Sequence, residues 1–131
     1  MKRIIYIFLV ALIFASCQKA DINGDLDGFW KLLTIEELAD NNVIDKKDVD
    51  RFWSIQLKLL VTKGDNGILH VGKGRFQHIG DSLFIQMIKA PKEPKELGMY
   101  NPDDERLEVV QLDRNRMILR SKEVLLNFRR F

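Results

Sequence analysis

Between Trp53 and Val61 the chain reads WSIQLKLLV. Trp53, Ile55, Leu57, Leu59 and Val61 are apolar, Ser54, Gln56 and Lys58 between them are polar, and only Leu60 breaks the alternation. A period of two puts alternate side chains on opposite faces of an extended strand, whereas a helix would scatter the same five residues round its circumference. The stretch therefore predicts a strand with one buried and one wetted face. Such a strand leaves backbone donors and acceptors along both edges, so the chain must supply partners for it.

The rest of the chain offers them. Gly28–Leu38 is a first apolar segment, and Ala39–Asp50 reads as a loop closing in one helical turn. Lys63–Gly67 is a turn, with Asn66-Gly67 a favoured hairpin pair, and Ile68–Gly72 reads as the return strand. Gly72 and Gly74 flank Lys73, where a strand can bend or bulge. Arg75–Ile79 leads through Gly80-Asp81-Ser82 into Leu83–Ile88. Lys89–Leu97, carrying Pro91 and Pro94, is a solvated loop, and Gly98–Tyr100 reads as a short strand. Arg106–Leu112 and Met117–Ser121 form a hairpin pattern, and Glu123–Phe131 closes the chain with Val124, Leu126 and Phe128 on one face. The total is about eight short strands at turn-separated intervals, an all-β pattern. Short connections predict an antiparallel up-and-down barrel, which removes exposed edges. A β-sandwich shows the same alternation and remains the alternative.

The N-terminus has a different character. Lys2 and Arg3 precede the uncharged run Ile4–Ser16. The run is shorter than the roughly 20 apolar residues a spanning helix needs, and it has the layout of a secretory signal. Cys17, the single cysteine, follows at once. A lone thiol in an exported chain is stray, pairs between chains, or accepts a lipid. FASC, Phe14 to Cys17, resembles a bacterial lipobox, with Phe14 where leucine is usual. The resemblance implies cleavage before Cys17 and acylation of that residue, which anchors through buried methylenes. By the same resemblance Gln18 after the lipid site implies the outer membrane. Gln18-Lys19 before acidic residues resembles a surface-export signal of Bacteroidetes lipoproteins, interrupted here by Ala20. The expected organisation is a signal peptide over residues 1–16, a lipid-anchored tether over 17–27 and a domain over 28–131.

Removing residues 1–16 removes Lys2 and Arg3, so 21 basic residues become 19, equal to the 19 acidic ones. A balanced chain gives no electrostatic case for nucleic acid. With one cysteine no intrachain disulfide can form, and the core must hold the domain.

Gly28-Phe29-Trp30, opening the first strand, resembles the Gly-x-Trp that starts lipocalins and related calycin barrels. The closing RMILRSKEVLLNFRRF resembles the last hairpin of small lipocalin-like lipoproteins of Bacteroidetes. The resemblance spans Gly28–Phe131. It implies a barrel with Gly28 and Trp30 as a barrel-end motif, the Trp plugging one end. The chain is shorter than a typical lipocalin.

Chemistry-bearing patterns are sparse. Asn23, Asp25, Asp27 and Gly28 mimic the first half of a calcium loop, but Thr34 stands where a bidentate Glu belongs. The two histidines, His70 and His78, do not make a zinc set. No Gly-x-Ser-x-Gly appears, and Gly72–Arg75 lacks phosphate-loop spacing. Asp103, Asp104 and Glu105 read as a solvated acidic cluster. The sequence implies no cofactor, no metal and no catalytic residue. Of the aromatics, Trp53 near a strand mouth and Tyr100 beside a loop are the candidate ligand contacts. The expected role is non-catalytic binding of a small apolar ligand inside the barrel. The alternative is a filled barrel acting as a structural or protein-interaction module, such as an accessory subunit or inhibitor of an envelope enzyme. A hydrolase is the third reading. An apolar cavity above about 300 Å³ would favour the first. A packed barrel with an exposed apolar patch would favour the second.

Overall fold

The structure, a computed structural model, describes residues 23–65 and 67–131. Cys17, the expected signal peptide and most of the expected tether lie outside the described residues. Nine strands follow in order: β1 Gly28–Glu37, β2 Asn42–Asp45, β3 Arg51–Gln56, β4 Leu59–Gly64, β5 Gly72–Ile79, β6 Ser82–Lys89, β7 Glu105–Leu112, β8 Arg116–Arg120 and β9 Val124–Arg130. Every pairing is antiparallel, and each strand from β3 onward pairs with the next. β9 returns to β1, from Trp30↔Arg130 to Glu37↔Val124. That closure makes the sheet an up-and-down barrel and sets the sandwich aside. β1 gives one edge to β9 and shares the other between β3, at residues 28–31, and β2, at residues 34–37. Eight strands thus close the wall, and β2 is an extra strand in line with β3.

Four local expectations are corrected. The alternating run Trp53–Val61 is two strands, with a two-residue turn at Leu57-Lys58 between Gln56 and Leu59. Leu57 takes φ +56°, in the position where such hairpins usually place glycine. The parity therefore reverses: Trp53 and Ile55 face inward in β3, and Leu60, the residue that broke the pattern, faces inward in β4. The segment 39–50 contains β2, whose Asn-Val-Ile-Asp composition hides it from pattern reading. Ile68–Gly72 is not a return strand: a 3₁₀ turn over Gly67–His70 precedes β5, because Thr62 Oγ1 donates to His70 O at 2.8 Å and holds the chain against β4. Gly98–Tyr100 forms no strand and instead continues from a 3₁₀ turn over Pro94–Leu97. The expected bend near Gly74 is present as a register shift between Lys73 and Gly74. A Cβ on Gly74 would stand 2.6 Å from Met87 Sδ and 2.7 Å from Gln86 O, so only glycine fits.

The interior is filled. Trp30, Leu32, Ile35, Trp53, Leu60, Leu83, Ile85, Met117, Leu119, Leu126 and Phe128 all point inward and are buried. An eight-stranded barrel is just wide enough for its own side chains or one small ligand. Here two tryptophans and Phe128 occupy much of that space. Both ends are plugged as well. The 3₁₀ turn Gly24–Leu26 inserts Leu26 at one end, and Leu97 and Met99 close the other. The fold therefore starts before Gly28: residues 24–27, read as tether, belong to the barrel.

Candidate functional site

Each tryptophan fastens one plug. At the first end, Trp30 Nε1 donates to Leu26 O at 2.9 Å. The Arg130 guanidinium lies 4.4 Å from the centre of the Trp30 ring and donates to Asp25 O and Asp27 O, each at 2.7 Å. It also donates to Arg114 O. Gly28 admits it: φ there is +147°, and any Cβ would overlap the guanidinium. The barrel-end motif Gly28 and Trp30 thus works through a third residue that pattern reading missed. Its only sequence signal was the basic pair before Phe131. The calcium-like stretch is tied up in the same plug. Asn23 Nδ2 donates to Asp27 Oδ1 and to Leu57 O, each at 2.6 Å. Among the described residues no group of three or more His, Cys, Asp or Glu converges on a metal-sized site.

At the second end Trp53 is fully buried, 4.9 Å centre to centre from Phe128, and its Nε1 donates to Leu97 O at 3.0 Å. It therefore sits in the core rather than at an open mouth. Tyr100 sits at the rim, half-buried against the core, with Lys95 Nζ 5.2 Å from its ring centre. Burial, with the negative charges of Glu37, Glu123 and Asp40, pushes its phenol pKa up, so Tyr100 stays protonated.

A polar latch holds this second plug. Glu96 Oε2 receives Lys46 Nζ at 2.5 Å and lies 3.5 Å from Arg51 Nη2, and Arg51 Nη1 reaches Asp65 at 2.8 Å. The Lys46 hydrogen bond, against a desolvation cost, holds the Glu96 carboxyl below its usual range. Lys46 and Arg51 are both buried at this rim. His70 is also buried, its ring nitrogens without hydrogen bonds, with Glu93 Oε2 3.6 Å from Nε2. The acidic trio is not uniformly solvated. Asp103 and Asp104 are exposed, but Glu105 is buried and accepts the Asn101 N–H at 2.9 Å. Burial pushes the Glu105 carboxyl up, partly offset by backbone N–H groups of the same loop.

Open space lies along the wall, where the inward-facing Phe76 and Ile85 also border it. A groove of about 920 Å³ runs between the Leu57-Lys58 turn, the β5–β6 hairpin and Asp103-Asp104. Leu57, Ile79 and Phe84 give it apolar surface and are 51%, 63% and 38% exposed. Arg75, Gln77, His78 and Gln86 supply polar groups. The structure thus places His78 on this groove and His70 at the far rim. A second groove of about 740 Å³ surrounds Asp25, Asp27 and Arg130 beside the first plug. Sequence reading missed the larger groove because its lining comes from five separate segments, Asn23 among them.

A family model described as a lipocalin-like domain matches residues 12–131. No curated protein matches the chain. Among solved structures, the chain is similar to a lipocalin-like protein from Bacteroides uniformis ATCC 8492, at 21% identity and a TM-score of 0.68, covering 82% of this chain and 100% of that one. It is also similar to an uncharacterized protein from Bacteroides eggerthii DSM 20697, at 16% identity and a TM-score of 0.66, covering 80% of this chain and 98% of that one. At these identities the likeness is one of fold.

Proposed function

Because the chain belongs to the lipocalin-like domain family, whose barrel is a binding scaffold, we propose that it is a lipid-anchored binding module of the outer membrane that takes an envelope protein on the outside of its wall. The observation that carries this reading is where the space lies. The barrel is filled by Trp30, Trp53 and Phe128 and plugged by Leu26, Leu97 and Met99, while the wall carries an open groove with exposed Leu57, Ile79 and Phe84. Leu57 adds a second support. An exposed leucine at φ +56° is costly, and strained residues cluster where function holds them. The anchor is Cys17, on its lipobox resemblance. The role is non-catalytic, such as an accessory subunit or inhibitor of an envelope enzyme.

A second reading keeps the small apolar ligand inside the barrel. Its support is the second plug: a short 3₁₀ segment held by charged groups, whose departure would uncover Trp53 and Phe128. Native mass spectrometry of the protein taken from its own envelope separates the two. A complex with a protein, lost in Phe84→Lys, supports the groove. A retained mass of a small apolar molecule, unaffected by Phe84→Lys, would move the site inside. For the anchor, Cys17→Ala should abolish the acyl mass and release the chain from the membrane; a variant still acylated and bound would refute it.

A further inference from the structure

Across β8, β9, β1 and β4 the outer wall carries a row of cations. On the outer face Arg116 of β8 stands opposite Arg129 of β9, Arg129 opposite Lys31 of β1, Lys31 opposite Phe52 of β3, and Phe52 opposite Lys63 of β4. Like charges directly opposed across a sheet are destabilising, and this row opposes them twice. Asp50, 3.8 Å from Lys31, is the one carboxylate that pairs with the row among the described residues. Asp113 lies near Arg116 but accepts its backbone N–H. Beside the row three aromatic rings gather on the same exterior. Phe29 stacks on Phe52 at 4.6 Å, and Phe131 meets both edge-on at 5.6 and 5.1 Å. Lys63 lies 5.7 Å from the Phe29 ring centre and Arg129 5.9 Å from that of Phe131. Phe131 is 69% exposed. Aromatics with cations on the wetted side of a strand are misplaced for folding and well placed for an anionic surface.

We propose that this face lies on an anionic lipid surface, through Lys63, Arg116 and Arg129 with Phe29, Phe52 and Phe131, while Lys31 between them is largely buried and paired with Asp50. Two arguments select a bilayer. Basic side chains bind acidic headgroups, and aromatic rings favour the membrane interface. The chain also enters the described structure beside the Arg116–Arg129 end of this row. Arg130, next to Phe131, holds the plug that follows Asn23. Asn23 stands six positions after Cys17, a span of at most about 22 Å when fully extended. An acyl group on Cys17 therefore keeps this end of the barrel close to the bilayer. In the ring of eight strands β6 stands four places from β1 in either direction. A barrel lying on its β9–β1–β3 side turns the β5–β6 wall of the groove away from the membrane, open to a partner. The inference deepens the anchored reading and rests on it for the geometry.

The test leaves the acyl group out, so that the two can fail separately. Residues 17–131 carrying Cys17→Ser keep every residue the structure describes. They are sedimented with vesicles of phosphatidylcholine alone, and with vesicles containing one third phosphatidylglycerol. The expected result is partition onto the acidic vesicles only, weakened by salt. At about fivefold per cation near such a surface, Lys63→Gln/Arg116→Gln/Arg129→Gln should lower the partition coefficient roughly a hundredfold. The same variant should melt no lower than the parent, since it relieves opposed charges. Arg75→Gln/Arg106→Gln, on the groove side, is the control and should leave binding unchanged. Equal partition onto both vesicles, no partition, or an equal loss in the control would overturn the proposal. Retention on a soluble polyanion such as heparin without vesicle binding would overturn it too, and would point to an acidic macromolecule. Acylation of Cys17 is decided by intact mass, whichever way the vesicles answer.

Discussion

Replacing Trp53 with Phe tests the plugged barrel most directly. The indole N–H is the bond that ties the second plug to the core, 3.0 Å from Leu97 O, in a place without solvent. Phenylalanine keeps the ring near Phe128 but has no donor. Leu97 O then loses its partner while buried, which costs about 1–3 kcal/mol. The smaller ring also leaves a void beside Phe128, adding roughly 1 kcal/mol. Together the change should cost about 2–4 kcal/mol, or roughly 8–16 °C in Tm for a domain of this size. Thermal denaturation by circular dichroism measures the first figure. Hydrogen exchange supplies the more specific readout, because the plug should open before the wall does. Protection should fall first at the amides of Gly98 and Met99, which bond back to Lys95 O and Pro94 O. Trp30→Phe is the comparison: it should also destabilise, through Leu26 O and Arg130, yet leave Gly98 and Met99 protected. A Trp53→Phe protein with unchanged Tm, or with exchange raised evenly around the barrel, would refute the idea that this indole fastens a discrete plug.

Leu57→Asn should stabilise the fold by about 1 kcal/mol by easing the positive φ, seen as a raised denaturation midpoint, while weakening capture of the groove's partner. Gly74→Ala should cost about 1–3 kcal/mol through overpacking against Met87 and the Gln86 carbonyl, measured by urea denaturation. The latch makes stability fall in acid. The folded Glu96 carboxyl titrates below its ordinary value of 4.5, so its contribution is present above that pH and is lost as pH falls through the lower folded value. Glu96→Gln should flatten that part of the stability–pH curve. Glu105 works the other way: its folded pKa lies above 4.5, so ionisation at neutral pH destabilises the fold and acid relieves it. Glu105→Gln should raise Tm at pH 7, with the gain vanishing as pH falls from the raised folded value through 4.5.

Much of the wall was legible from single residues. Inward Val124, Leu126 and Phe128 follow the alternation directly, and the Gly74 bulge was marked by its glycines. Leu57-Lys58 was not legible, since neither is a turn former, and the strained leucine makes one long strand out of two in pattern alone. The plugs were hidden for another reason. Leu26 and Leu97 are single apolar residues in polar stretches, and no local rule distinguishes a plug from an exposed leucine. Asp65 and Glu96 lie far along the chain from Lys46 and Arg51 and meet them only at the rim.

By itself the sequence determined what each segment could become. Side-chain alternation, turn residues and an apolar N-terminal run are local properties, written in neighbours a few positions apart. Tertiary structure alone decided what the barrel could hold. The closure of β9 onto β1 sets the radius, and the radius settles whether two tryptophans line a cavity or fill it. Closure also decided the surfaces. Arg116, Arg129, Lys31 and Lys63 form one row only because strand register puts them side by side, and register is a relation between segments that no single segment contains.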